Sequence, residues 1–455
     1  MLTRIEIDGF KTFEKFTLDL QPFSAVVGPN ASGKSNLFDA LKFLSLLSQH
    51  DIRTAMQDLR GEPEELFRLT SSGPCSEMHF AVEVALDHEG RDAFGTRYEV
   101  KSQRLRYELT LKMKIDGNGQ ARGTFVAAEK CVALAKKDDK HSFFRRANLS
   151  YSDRRNPFIE TETEDGTATA FVIRQDGPSE KGGTKRGLGR RLAATEASRS
   201  ALSTITTAEF PHAYALRDLF ASTRFLEINP QAARRPSDRF EERMLRADAS
   251  NLAAVLARLR DETRTAARPD GVIGEISVDL ATLIPSVRSV QISDNPAAKE
   301  YSFGIATADH LQFSSRVISD GTLRLLALLA ILDDPSRRGI LCFEEPENGI
   351  HEGRIPTLVG LLREAVPTAR TMGANKMFQI LVNTHSPAVM AALQEDEIVA
   401  ADSVSVIDGI NKVRQIKTRM RRMPAVPASG QSQFDWEHDL TRQDVANLLR
   451  RPSEA

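Results

Sequence analysis

A chain of 455 residues is long enough for about two to three domains of ~150 residues, and its 61 Lys and Arg against 62 Asp and Glu give no global signature of nucleic-acid binding. Three widely spaced cysteines, Cys75, Cys131 and Cys342, form no CxxC pair, which argues against a zinc finger, zinc hook or disulfide framework and for reduced cytosolic thiols. No stretch approaches the roughly 18 uncharged apolar residues of a membrane span, and MLTRIEIDGFKTFEKF is charged where a signal peptide needs an apolar core, so the expectation is a cytoplasmic protein with no membrane partner.

In chain order, three short strands are predicted first, at Leu2–Ile7, Phe16–Leu20 and Phe23–Val27. The middle one alternates apolar and polar residues, as a half-exposed strand does. After a Gly/Pro/Asn/Ser turn, SNLFDALKFLSLLS places Leu37, Ala40, Leu41 and Leu44 on one helical stripe. Residues 78–134 are rich in β-branched and aromatic residues, with a tight turn expected at Asp116-Gly117-Asn118-Gly119. From about Lys136 to Arg191 the chain is polar and heavily charged, which predicts an irregular insert with mobile loops. Helical periodicity returns in ASNLAAVLARLRDE, with Leu252, Val255, Leu256 and Leu259 on one face and Asp248 or Ser250 as the cap. Strands are expected at Val287–Ile292 and Glu300–Ile305. From Ser319 onward strands and helices alternate, which implies a parallel sheet covered by helices. From about Met423 the chain is Pro/Ser/Gln-rich and closes on the amphipathic stretch DVANLLRR.

Four motifs carry chemistry. Gly28-Pro29-Asn30-Ala31-Ser32-Gly33-Lys34-Ser35 is a full GxxxxGK[ST] loop, preceded by the apolar strand FSAVV and opening a helix. In that context backbone N–H groups from Asn30 to Asn36 and the helix dipole face phosphate, Lys34 reaches the β/γ oxygens, and Ser35 ligates Mg2+. Leu341-Cys342-Phe343-Glu344-Glu345 is an apolar strand ending in two carboxylates: Glu344 for the Mg2+ shell, Glu345 as general base. Asn383-Thr384-His385-Ser386 follows the apolar FQILV and offers His385 at a strand end. Ser319-Asp320-Gly321-Thr322 opens the apolar helix LRLLALLAIL, a second anion-binding device. Taken singly, the last three also suit a solvated acidic turn, a structural histidine and an ordinary helix cap. Their order along the chain gives them weight together.

That order resembles the RecF/SMC/OLD ATPases. IDGFKTFEKFTLDLQPFSAVVGPNASGKSNLFDAL looks like the start of that group; ISDGTLRLLALLAIL, GILCFEEPENGIH and QILVNTHSP look like its signature, Walker B with D-loop, and switch-histidine regions. The resemblance covers about the first 45 residues and about 245–410, and leaves the middle unmatched. It implies an α/β fold: an ABC-ATPase head, that is a P-loop domain with a mixed sheet and flanking helices, plus an antiparallel β subdomain and a helical or irregular insert. The expected division is 1–135 and 285–418 for the two lobes of the head, 136–284 for the insert and 419–455 for a tail. Glu344 stands where many ABC ATPases have Asp, similar to the OLD-like branch, and Asp320 where transporters have Gly, which disfavours a transporter subunit. No Q-loop glutamine stands out among Gln49, Gln57 and Gln103. About seventy residues follow His385, too few for the Toprim nuclease of OLD proteins, so no nuclease is expected.

The resemblance further implies catalytic roles for Glu345 and His385 and ATP and Mg2+ as cofactors. It also implies a head-to-tail pair in which Ser319, Asp320 and Gly321 of one copy cap the nucleotide of the other. Function is expected in antiphage defence or DNA maintenance, controlling a separately encoded effector. DNA contact would fall on Arg145, Arg146, Arg154, Arg155, Lys185, Arg186, Arg190 and Arg191. The alternative is an ATP-dependent scaffold that holds and releases an effector protein without touching DNA.

Overall fold

The structure is a computed structural model that describes residues 1–71, 73–118, 121–176, 189–372, 376–407, 414–423 and 441–450. Gly119 of the expected tight turn, Lys185 and Arg186, and most of the Pro/Ser/Gln-rich segment lie outside the described residues. The chain forms two compact units. One comprises Met1–Thr223, Pro367–Gln379 and Glu395–Ala455; the other comprises Arg224–Val366 and Ile380–Gln394.

The first unit is built on an antiparallel sheet of eight strands. Their spatial order is Gly189–Ala193, Thr167–Arg174, Ile159–Glu164, Ala121–Ala133, Arg104–Ile115, Glu77–Ala85, Leu2–Asp8 and Phe16–Asp19. Beside it, Phe23–Val27 runs parallel to Ile398–Ile407, which pairs antiparallel with Arg414–Arg422. Phe23–Val27 is buried at every position, as an apolar strand covered on both faces must be. Helix Lys34–Leu47 packs on this framework through Leu37, Leu41 and Leu44, each at most 4% exposed and each contributing about 1.5–3 kcal/mol. Phe43 of the same helix stacks on Phe10 at 5.9 Å and meets Phe80 of the sheet edge-on.

The stretch read as an irregular insert contains regular sheet. Three of the eight strands, from Ile159 to Ala193, lie in it. IETETE and TATAFVIR are joined by Asp165 at φ 51 and Gly166 at φ 76, the two left-handed residues of a tight hairpin turn. The charged runs that suggested a loop, 136–146 and 150–158, precede these strands, and within Thr167–Arg174 the residues Ala170, Phe171, Val172 and Ile173 are all buried.

A buried ion pair anchors the unit. Arg104, fully buried, donates to both oxygens of Asp139, to the Thr3 hydroxyl and to the Val84 carbonyl. His141, two residues on, is 7% exposed; its Nε2 meets the Leu20 carbonyl at 3.0 Å and its Nδ1 has no partner. Burial, with Arg422 and Arg104 nearby, pushes its pKa down to about 4 from 6.5, against the pull of Asp19. A folded pKa below the unfolded one gives stability that is present above pH 6.5 and lost as pH falls towards 4. The loss should be about 3 kcal/mol. Chemical denaturation at pH 7.5 and 4.5 is expected to show this difference in the wild type and a smaller one in His141→Gln.

The second unit pairs Arg224–Leu226 in parallel with Gly339–Glu344, next in order to Phe378–Thr384. A separate antiparallel sheet joins Ser237–Asp238, Glu300–Thr307 and Val287–Asn295, with Gln312–Ser314 on Glu300–Thr307. Helices Leu252–Thr263, Ile273–Leu283, Asp320–Leu332 and Ile355–Glu364 complete it. The expected face of Leu252, Val255, Leu256 and Leu259 is buried, but neither Asp248 nor Ser250 caps that helix. Asn251 occupies the cap position, and its side chain instead ties down the preceding loop through Arg246, Glu242 and Met244. Among the described residues no helix is long and apolar enough to cross a membrane.

Candidate functional site

In the first unit the loop Gly28–Ser35 joins the buried strand Phe23–Val27 to helix Lys34–Leu47. Ala31 at φ 63 and Gly33 at φ 87 take left-handed backbone, which turns successive N–H groups toward a common concavity. A Cβ on Gly33 would lie 2.0 Å from the Thr418 hydroxyl, and one on Gly28 would lie 2.2 Å from the Ala401 carbonyl. Both glycines are required by close approach. The helix starts without a side-chain cap and without an acidic residue in its first turn, so nothing in it competes with an anion for the dipole. The Lys34 ammonium donates to the carbonyls of Gly28 and Pro29 at 2.8 and 2.7 Å. Ser32 is 1% exposed, and its hydroxyl oxygen has no hydrogen-bond partner. An orphaned buried hydroxyl in a cradle of N–H groups fits a phosphate-bearing ligand. Asn30 and Ala31 are exposed at the rim, and Ser35 is half-buried in the first helical turn. Asn36 donates through its side chain to the Thr12 hydroxyl, which meets the Thr418 hydroxyl at 2.6 Å.

In the second unit Glu344 ends its strand and accepts from the Asn383 side chain at 2.9 Å. Glu345 follows in left-handed backbone, φ 48, a conformation that costs about 1–3 kcal/mol for a residue of this kind. Its N–H donates to the Asn383 carbonyl at 2.9 Å, which holds the turn. The Glu345 carboxylate is partly exposed: Oε1 lies 2.7 Å from His385 Nδ1, and Oε2 accepts from Asn348 at 2.7 Å. The structure thus brings together Glu345 and His385, 40 positions apart in sequence. Glu347, 9% exposed, accepts from the Thr384 hydroxyl, and its Oε2 has no partner. Burial raises its pKa, against the Thr384 hydrogen bond. Arg324 stacks on Phe343 at 5.2 Å and donates to the Glu344 carbonyl at 3.1 Å.

Helix Asp320–Leu332 begins in the same unit. Ser319 caps it, its hydroxyl accepting from the Thr322 N–H at 3.2 Å, and Ser319 and Asp320 are exposed. Asp320 is paired with Arg234, which also donates to the Ile318 carbonyl at 2.7 Å. Gly321 packs backbone to backbone on Gly349: a Cβ on Gly321 would meet the Gly349 carbonyl at 2.9 Å, and Gly349, at φ 90, would place a Cβ 2.5 Å from Gly321 Cα. Gly349→Ala therefore combines left-handed strain with a backbone clash. It is expected to destabilise the chain by roughly 2–5 kcal/mol, read as a lower denaturation midpoint, while Gly360→Ala, with open space around it, stays near the wild type.

Sequence reasoning missed Thr12, Thr418, Glu347, Asn348 and Gly349. Only the last three had a local signal, in the Pro-Glu-Asn-Gly segment that follows the acidic pair. Of the Q-loop candidates, Gln103 is spent structurally: both ends of its buried amide are bonded, to the Leu86 carbonyl and to the Ser150 N–H. Gln49 donates to the Ser45 carbonyl of the helix that precedes it, and Gln57 is exposed.

A family model described as "AAA domain, putative AbiEii toxin, Type IV TA system" matches residues 23–391. Among curated proteins, the chain is 33% identical over 95 residues to the DNA replication and repair protein RecF of Lactococcus lactis, covering 20% of this chain and 26% of that protein. It is 27% identical over 190 residues to the chromosome partition protein Smc of Bacillus subtilis, covering 35% of this chain and 15% of that protein. The Smc protein of Methanocaldococcus jannaschii is 52% identical over 44 residues, 10% of this chain and 4% of that protein. The chain thus spans about a quarter or less of the length of these relatives. Among solved structures, an Smc head bound to the C-terminal winged-helix domain of ScpA overlays with a TM-score of 0.49 at 12% identity, over 92% of this chain and 98% of the other. The chain belongs to this AAA-domain family, as an ABC-type ATPase domain of the RecF and SMC kind.

Proposed function

We propose that the chain binds ATP with Mg2+, hydrolyses it, and uses the two nucleotide states as a switch. The observation that carries this reading is the pair formed by Glu345 and His385, a carboxylate and an imidazole held 2.7 Å apart at the ends of neighbouring strands. Asn30, Ala31, Ser32, Gly33, Lys34, Ser35 and Asn36 would hold the phosphates, and Ser35 and Glu344 the Mg2+. That ligand set, a hydroxyl and one carboxylate with phosphate and water, is what Mg2+ favours. When bound, the metal supplies neutralisation of the charge that develops on the phosphate oxygens. Glu345 accepts the proton of the attacking water on a free lone pair of its carboxylate. His385 donates its Nδ1–H to Glu345, which orients the ring, and in its doubly protonated form its Nε2–H donates toward a phosphate oxygen.

Ser319 and Asp320 are exposed at a helix start, and we read them, with Gly321, as acting on nucleotide held by a second copy in a head-to-tail dimer. Phosphate-release assays and sedimentation with and without ATP test both parts. Expected are Mg2+-dependent turnover and a dimer that forms with ATP. Absence of turnover would remove the enzyme reading; turnover by a strict monomer at saturating ATP would remove the trans-acting signature.

The family description names a toxin system, and the named relatives serve replication, repair and chromosome partition. We therefore place the switch in antiphage defence or DNA maintenance, acting on a separately encoded effector. Arg145, Arg146 and Arg155 are exposed and available for phosphate contacts. Arg154 instead stacks on Phe158 at 4.3 Å, and Arg191 pairs with Glu162 at 2.7 Å, which favours the second reading, a scaffold that holds an effector without DNA. Filter binding over a salt series separates the two: DNA affinity that falls with salt supports the first, none with or without ATP supports the second.

A further inference from the structure

Glu347 is a carboxylate whose burial has no evident reward in stability. It is 9% exposed, Oε1 has one partner, and Oε2 has none. Burying such a group costs several kcal/mol, and an apolar residue of similar size would serve packing equally well or better. Its one hydrogen bond to another side chain is therefore the informative feature.

That contact is to Thr384, the fully buried last residue of its strand and the residue before His385. A threonine hydroxyl has a single proton. Donating it to Glu347 leaves the oxygen lone pairs free, and one of them accepts the Ser386 N–H at 2.9 Å. Ser386 in turn caps the short helix Pro387–Ala392, accepting from the Val389 N–H. His385 thus stands between two anchored neighbours, and the anchor reaches back to the loop that carries Glu345. Two further links cross the same gap: the Glu345 N–H to the Asn383 carbonyl at 2.9 Å, and the Asn383 side chain to Glu344 at 2.9 Å. The His385 ring is itself nearly half exposed.

From this clasp we infer that Glu347 is a positioning residue: acting through Thr384, it fixes the turn that carries His385 at bonding distance from Glu345. The inference deepens the ATPase reading and rests on it. A second-neighbour carboxylate of this kind sets where the imidazole sits, and it touches no reacting atom.

The test uses the full chain and two readouts. In steady-state ATP hydrolysis, Glu347→Ala and Thr384→Val are expected to lower kcat by about 10- to 100-fold, within what general acid–base groups contribute, with KM for ATP little changed. Glu347→Gln, whose side-chain oxygen accepts the same hydroxyl proton, is expected to recover most of the loss. On a His385→Ala background, Glu347→Ala should lower kcat no further, because its effect passes through the imidazole. The second readout needs no nucleotide: the 15N shifts of the His385 ring, assigned by their loss in His385→Ala, should move in Glu347→Ala and Thr384→Val and stay in Glu347→Gln. Losses that multiply in the double variant, or ring signals unmoved by all three substitutions, overturn the inference. A wild type that hydrolyses no ATP would sink the ATPase reading, and the ring shifts would still decide the clasp. Should Glu347→Ala fail to fold, the near-isosteric Thr384→Val decides by both readouts.

Discussion

Lys34→Ala is expected to abolish ATP binding at millimolar nucleotide. The Lys34 side chain is 8% exposed, and its ammonium is held against the Gly28 and Pro29 carbonyls, at the concave side of the loop. Truncating one partner of such a hydrogen-bonded charge pair costs roughly 2–5 kcal/mol, which converts to a loss of about 30- to 5,000-fold in affinity. The fold should survive the change, because alanine is the best helix former and Lys34 is the first residue of its helix. Calorimetric titration with ATP, beside the denaturation midpoint without it, separates lost binding from lost structure. Binding within about threefold of the wild type, with the fold intact, would show that the phosphates are held elsewhere.

Glu345→Gln is expected to lower turnover by about 100- to 1,000-fold while ATP binding persists, and to accumulate the ATP-bound dimer. The local structure should tolerate it. Glutamine keeps an oxygen to accept from His385 Nδ1, and the Asn348 amide can rotate to offer its own oxygen to the new NH2 group. The left-handed backbone at φ 48 is no harder for glutamine than for glutamate. What disappears is the basic oxygen that takes the proton from water. Sedimentation with ATP should show a longer-lived dimer than the wild type forms. Wild-type turnover in this variant would place the general base on another residue.

Legibility in the sequence followed the range of the interactions. Helix Lys34–Leu47 and strand Phe23–Val27 were readable because apolar spacing, Gly33 and the loop lie within some 25 consecutive residues. The helix of Leu252–Thr263 was readable from its face, but its cap was not, since Asn251 is drawn away by Glu242 and Met244 across a loop. The strands from Ile159 to Ala193 were missed because the charged runs that precede them, 136–146 and 150–158, were weighed as the composition of the whole stretch; the Asp165-Gly166 turn carried the better signal.

The residues proposed to bear the chemistry, Lys34, Ser35, Glu344, Glu345, His385 and Ser319, could be named from sequence, because each sits at a strand end or helix start that its own neighbours define. How they are held was decided only by tertiary structure. Thr12 meets Thr418 across 406 positions to close on Gly33, Thr384 meets Glu347 across 37, and Gly321 fits only against Gly349. Such pairs depend on which backbones come within about 4 Å in three dimensions, and no local spacing encodes that distance.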